Sequence, residues 1–311
     1  MIALGIDIGG SSIKGASIKS DGTILDYFSF KMDRLASPED TFSKMCDEIN
    51  LFLKDKEYKD EIVGIGLGVP GILDKEKGII KSSPNMPLWI NFNIKEFVEK
   101  RTLLPVKIVN DASSAVLGEA KFGTGKGYDN VVMVTLGTGV GGGLFLNGKL
   151  FDGRDGTGAQ IGHAVIEYNG RECSCGRRGC LEAYASATAL GKEARLRKEK
   201  YPRSLLNTVE VINAKAVFDL AKKGDSLSIV LVNEYITYLA EGLLNFCNVF
   251  RPDIILLSGG IANEGDYLID RLVDYMKKKN YGYVNAPVVP VKIGKLGYDA
   301  GKVGAATLFF D

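Results

Sequence analysis

The feature that most constrains this chain is a layout met twice: a buried strand, a glycine-rich turn, a second strand, an Asx-Gly turn and a third strand. The first copy runs IALGIDIGG, SSIKGASIKS, then Asp21-Gly22 before TILDYFSF; the second runs VVMVTLGTG, then VGGGLFLNGKLF around Asn147-Gly148. Asx-Gly pairs favour two-residue hairpins, because both central residues of such a turn take positive φ. The segments, near residues 2–30 and 130–153, are too dissimilar for a sequence repeat, but their common plan predicts a duplicated architecture.

The remainder alternates strands with helices. PEDTFSKMCDEINLFLKDK spaces Phe42, Met45, Ile49 and Leu53 as one helical face, with Pro38 at its start. VGIGLGVPG and PVKIVND read as buried strands, and ASSAVLGEAKFG as a helix. After residue 153 helices dominate: CLEAYASATALGKEARLRKEK, AKAVFDLAKK, a long one from Leu227 to Phe250, and another from about Gly265 to Lys278. DIILLSGG and PVVPVKIG read as further strands and GKVGAATLFF as a closing helix. This alternation places the chain in the α/β class. At roughly 150 residues per domain, 311 residues predict about two domains, with a soft boundary near 115–125.

Charge and composition exclude several functions. Lys+Arg 39 against Asp+Glu 38 gives 39 − 38 = +1, which argues against nucleic-acid or membrane-surface binding. Apolar residues at 45% and charged residues at 25% fit an ordinary globular chain. No stretch approaches ~18 uninterrupted apolar residues, and MIALGIDIGG reads as a strand, without the basic leader of a signal peptide. Five cysteines are too few for a disulfide scaffold, so the cytoplasm is the expected compartment.

Residues 137–142, GTGVGG, satisfy the G-x-G-x-x-G pattern of dinucleotide-binding folds. That pattern requires a helix after it to receive the pyrophosphate, and the residues here, LFLNGKLF, read as a hairpin. A nicotinamide dehydrogenase therefore lacks its mechanism. Glycine-rich hairpins still bind phosphate through main-chain N–H groups, and two are present: Gly9-Gly10-Ser11-Ser12 and Gly137-Thr138-Gly139. Each alone is readable as a tight turn; the pair favours a ligand shared by two halves. Asp7, on an otherwise apolar strand, is either a turn-capping residue or the organiser of a magnesium ion and its waters. Gly259-Gly260 is either an ordinary strand-to-helix turn or a place of close packing against an adenine ring.

His163, the only histidine, precedes Cys173, Cys175 and Cys180. One imidazole and three thiols form a tetrahedral set suited to structural zinc, and four protein ligands leave no open position for catalysis. The alternative, free surface thiols beside an unrelated histidine, would be a redox liability. Asn110-Asp111 ends the strand PVKIV. Such residues cap helices, yet ligands of α/β sheets bind at the carboxyl ends of strands. Phosphoryl transfer needs phosphate-holding amides, magnesium and one base; Asp111 qualifies as the base, and Asn110 as an amide that binds a polyol.

DIGGSSIKG, IVND, LGTGVGGG, the His163–Cys180 cluster and LSGGIA, in this order over nearly the whole chain, resemble the ROK family (repressors, open reading frames and kinases). CSCGRRGCLEAYAS is the most specific portion; the glycine turns belong to the wider superfamily. The resemblance implies a duplicated actin/hexokinase (ribonuclease H-like) ATPase fold, with two domains around a central cleft: 1–118, completed by the closing helix 300–311, and 119–299 with the zinc loop. Asp7, Gly9, Gly10, Ser12 and Lys14 match the first phosphate motif, Gly137, Thr138 and Gly139 the second, and Gly259 and Gly260 the adenosine motif. Asn110 and Asp111 match the sugar-binding pair, Asp111 as the general base for the 6-hydroxyl. His163 and Glu182 match contacts near the C1 and C2 hydroxyls, and Gly71 and Asn85 further sugar-pocket positions. His163 then serves zinc through one ring nitrogen and sugar through the other.

What the resemblance implies is an ATP-dependent hexose kinase, with glucose as substrate, Mg2+ and structural Zn2+ as cofactors, and a homodimer. Alternatives within the family are N-acetylmannosamine, N-acetylglucosamine, fructose and allose kinases. A sugar-sensing repressor is disfavoured, since a first strand at residue 2 leaves no room for a helix-turn-helix domain. One position departs: the family's E-x-G-H is Gln160-Ile161-Gly162-His163 here. A hydrogen bond to a charged group is worth about 1.5–3 kcal/mol and a neutral one about 1, so Gln160 re-tunes sugar affinity or choice.

Overall fold

The computed structural model describes residues 1–83, 86–154, 156–282 and 285–310. Strands β1 (Ile2–Ile8), β2 (Ser12–Lys19) and β3 (Ile24–Lys31) open the chain, followed by helix α1 (Pro38–Leu53) and β4 (Ile62–Val69). Three short strands, β5 (Ile72–Asp74), β6 (Ile79–Ser82) and β7 (Ile90–Asn93), lead to α2 (Ile94–Thr102), β8 (Val106–Asn110) and α3 (Asp111–Phe122). Next come β9 (Val131–Leu136), β10 (Val140–Leu146), β11 (Lys149–Phe151), α4 (Glu182–Ala185), α5 (Ala187–Arg197), α6 (Ala214–Lys222) and α7 (Ser226–Phe250). The last elements are β12 (Ile254–Ser258), α8 (Asp266–Lys279), β13 (Val291–Ile293) and α9 (Ala300–Thr307).

The repeated layout is a repeated topology. One sheet has the order β3-β2-β1-β4-β8 and the other β11-β10-β9-β12-β13. In the first, β1, β2 and β3 pair antiparallel while β4 lies parallel to β1 and β8. In the second, β10 and β11 are antiparallel while β12 lies parallel to β9 and β13. The two Asx-Gly turns differ: Asn147 and Gly148 both take positive φ, 53° and 73°, as a two-residue hairpin requires, whereas in the first only Gly22 does, at 88°. There Gly22 N–H donates to Lys19 O at 2.9 Å, so Ser20, Asp21 and Gly22 form a three-residue loop, and Asp21 accepts the Thr23 N–H at 2.9 Å. Strand β10 directly follows the second glycine turn, so no helix is available there for a pyrophosphate.

Packing divides the chain into two units, Met1–Tyr128 with Gly143–Ala159 and Lys295–Asp311, and Asp129–Gly142 with Gln160–Gly294. Where the sequence reading places a boundary at 118, α3 continues within the first unit, because Phe122 packs beside Ile18 and Val303. Alternation along β1 explains the two faces of the first sheet. Ile2, Leu4, Ile6 and Ile8 share a core with Phe42, Met45, Ile49 and Leu53 of α1. Ala3 joins Val303 and Ala306 of α9 on the other face.

Helix α9 rests almost on bare backbone. A Cβ at Gly5 or at Gly66 would stand 1.9 Å from the carbonyl oxygen of Lys302 or Ala305, and one at Gly304 would stand 1.7 Å from Ser114 O of α3. Ser114 Oγ donates to Gly301 O at 2.6 Å. Fully buried Glu119 holds the approach to α9: its carboxylate accepts the N–H groups of Thr124 at 2.8 Å, Lys295 at 3.1 Å and Leu296 at 2.6 Å.

Two details depart from the sequence reading. The helix expected from Cys180 onward is split at extended Ser186, whose hydroxyl accepts from Ala189 N and caps α5. The small antiparallel sheet β5-β6-β7 has no counterpart in it. Helix α7 is long and apolar enough to cross a bilayer by length and composition. It instead buries Leu231, Leu239 and Leu243 and packs on α6 and α8.

Candidate active site

In the first unit the turn between β1 and β2 is closed by Gly9 N–H donating to Ser12 O at 3.0 Å. Arg34, which the sequence reading did not single out, donates from Nε to Gly10 O, and a Cβ at Gly10 would stand 2.9 Å from its guanidinium. Asp7 lies on the α9 face of β1, where a Cβ on Gly301 would be 3.1 Å from its carboxyl carbon. Lys14 is its register partner on β2. Burial pushes the Asp7 carboxyl up to about 6; the Asp111 charge adds to this, and Lys302 and Lys14 oppose it.

Asp111 begins α3. Burial holds its carboxyl above the usual range, against main-chain N–H groups of the first turn and the Asn110 side chain. Asn110 is the cap: its Oδ1 accepts from Ala112 N at 3.0 Å and Ser113 N at 3.3 Å, and its Nδ2 donates to Gly71 O at 3.4 Å. Of the two readings of this residue, capping is thus realised, and it leaves one Nδ2 hydrogen for a ligand. Gly71 has φ 115°, and a Cβ there would sit 2.3 Å from Ser82 O, so the turn presenting its carbonyl requires glycine. Asn85 lies outside the described residues. Asp7 and Asp111 are half-buried carboxylates, and the charge of Asp111 raises Asp7; oxygen donors of this kind suit a divalent cation.

In the second unit Gly137 N–H donates to Gly139 O at 3.0 Å across exposed Thr138, and Gly137 O accepts from Ala187 N at 2.8 Å. Glu182, at the start of α4, lies beneath this turn. Its Oε2 accepts from Val140 N at 3.0 Å, and its Oε1 accepts from Ser174 Oγ at 2.9 Å. Gly259 has φ 88° and would carry a Cβ 2.5 Å from Leu136 O, whereas a Cβ on Gly260 would meet nothing within 4 Å among the described residues. Exposed Gln160 precedes the turn Ile161–His163, with its carbonyl accepting from His163 N at 3.0 Å.

The His163, Cys173, Cys175 and Cys180 ligand atoms all lie within 4.8 Å of one another. Ligands of a tetrahedral zinc at 2.3 Å stand about 3.8 Å apart, and a sulfur–imidazole pair about 3.5 Å. The Cys175–Cys180 sulfurs are 3.7 Å apart and Cys173 Sγ is 3.6 Å from His163 Nδ1. The set therefore fits zinc, with Nδ1 toward the metal and Nε2 left over. None of these cysteines is in a disulfide.

The ROK family profile matches residues 3–311. A glucokinase from Thermotoga maritima is 37% identical, over 98% of this chain and 96% of that protein. A ROK family glucokinase from Streptomyces griseus, solved with glucose and AMPPNP, superposes with a TM-score of 0.84 at 31% identity, covering 99% of both chains. A xylose repressor from Bacillus subtilis is 30% identical over 99% of this chain and 77% of that protein.

Proposed function

The chain belongs to the ROK family, with its actin/hexokinase-type ATPase fold, as a sugar kinase; from that premise we propose that it transfers the terminal phosphoryl group of ATP to the 6-hydroxyl of glucose. The observation that carries this reading is Asp111: a half-buried carboxyl at the head of α3, beside its capping Asn110, that desolvation raises above its ordinary range and whose charge in turn raises Asp7 on the phosphate-turn strand. A base whose pKa is moved toward the working pH exchanges protons most effectively.

In the first unit the main-chain amides of Gly9–Ser12 bind phosphate; in the second those of Gly137–Gly139 do the same, and Gly260 offers the open surface against which adenine packs. Asp7 would hold magnesium, which would supply neutralisation of phosphate charge. Asp111 takes the proton from the sugar's 6-hydroxyl as that oxygen forms its bond to phosphorus and the bond to ADP breaks. In the first unit Asn110 and Gly71 bind sugar hydroxyls, and in the second His163 and Glu182 do. His163, Cys173, Cys175 and Cys180 would hold zinc, which would fix the loop that leads into Glu182. A cytoplasmic homodimer completes the proposal.

Asp111→Asn should lower kcat by at least ~100-fold while glucose still raises the melting temperature of the variant. Near-normal turnover would remove Asp111 from the role. Gln160 is the observation that keeps other acceptors in view. A coupled ADP-release assay over glucose, mannose, fructose, allose and the two N-acetylhexosamines is expected to give its highest kcat/KM with glucose; a higher value for another sugar reassigns the substrate.

A further inference from the structure

We propose that Ser174, which lies between two zinc ligands, is a positioning residue that sets the carboxylate of Glu182 for the sugar; this rests on the reading of Glu182 as a sugar contact. The hydroxyl of Ser174 donates to Glu182 Oε1 at 2.9 Å, and Cys173 Sγ stands 3.8 Å from the same oxygen. The other oxygen, Oε2, is held by Val140 N at 3.0 Å. It also borders Gly139, where a Cβ would come within 2.4 Å of it. Both oxygens of one carboxylate are thus tied to different elements: Oε2 to the second glycine turn, Oε1 to the metal loop.

The consequence is orientational. A carboxylate has about four acceptor positions, and this one spends two of them on fixed donors. The remaining two point where the fixed pair dictates, so incoming hydroxyls meet acceptors already in place. Without Ser174, Oε1 would keep only the long approach of Cys173 Sγ at 3.8 Å, which has no proton to donate as a zinc-bound thiolate, and the group would rotate about its last torsion, which is broad and roughly two-fold. Ser174 is itself restrained because its neighbours, Cys173 and Cys175, belong to the ligand set. The metal loop is therefore connected through Ser174 and Glu182 to the amide of Val140, at the edge of the phosphate turn.

Ser174→Ala removes the hydroxyl from an exposed loop position and leaves every zinc ligand and Glu182 in place. The expected result is a KM for glucose raised about 3- to 10-fold, the loss that accompanies a less preorganised acceptor, with kcat and the KM for ATP within about two-fold. Zinc content should remain that of the parent, and Ser174→Thr, which keeps the hydroxyl, should restore the glucose KM. Calorimetric titration with glucose alone should show the same weakening. An unchanged glucose KM and dissociation constant in Ser174→Ala would overturn the proposal, as would a weakening that Thr does not rescue or that tracks zinc loss. If the parent protein itself binds no hexose, the failure belongs to the proposed function.

Discussion

Asp7 shows how a single side chain can be held at odds with the fold around it. Its native carboxyl titrates near 6 because burial disfavours the charge and Asp111 adds repulsion. With a native pKa above the unfolded one, the folded state holds the proton more tightly. The contribution to stability is therefore full below about pH 4 and is lost as the pH rises through 6. At neutral pH the charge costs the nucleotide-free protein on the order of 2–3 kcal/mol. Asp7→Asn should raise the melting temperature of the ligand-free protein at pH 7.5 and change it little at pH 4. An equal effect at both values would mean that the strain does not come from the charge. Residues of this kind were legible: Asp7 stood out as the one carboxylate on an apolar strand. Arg34 did not, because an exposed arginine in an irregular segment resembles any other until its guanidinium is found over Gly10.

At the scale of elements, glycines decide how closely α9 approaches. Gly304→Ala would drive a methyl group to 1.7 Å from Ser114 O, and neither helix can give way without lifting α9 from β1 and β4. Urea unfolding should show a loss of about 3 kcal/mol or more. Gly260→Ala, with nothing within 4 Å, should keep the parental midpoint. Elements set by local pattern were readable in the chain. Phe42, Met45, Ile49 and Leu53 do form the buried face of α1, and both Asx-Gly pairs lie in hairpin turns, the second with both residues at positive φ and the first with Gly22 alone. What escaped was set by tertiary context. The break at Ser186 lies within a run of good helix formers, and no periodicity marks Glu119 as a buried acceptor for three amides. The site shows the same division. The glycine turns and the cysteine spacing are local signals, whereas the Ser174–Glu182 bond joins residues whose pairing only the folded loop reveals.

For the molecule as a whole, the cysteines offer a test that sorts them by role. Metal analysis of the purified protein should find about one zinc per chain, a number set by the one four-ligand cluster among the described residues. A chelator should lower the melting temperature and expose Cys173, Cys175 and Cys180 to a thiol reagent. Cys46 and Cys247 should stay protected, since burial pushes both thiols up to about 11. A metal-free protein of full activity and unchanged stability would dismiss the zinc.

The return of residues 295–311 to the first unit has a consequence for how the protein is made. Strands β1 and β4 leave the ribosome well before α9, the helix that covers one of their faces. Translation must therefore deliver Ala300–Thr307 before that half can reach its native state. Until then a nascent chain offers one side of that sheet to chaperones, and a truncation that removes Ala300–Thr307 should be cleaved by protease faster than the parent.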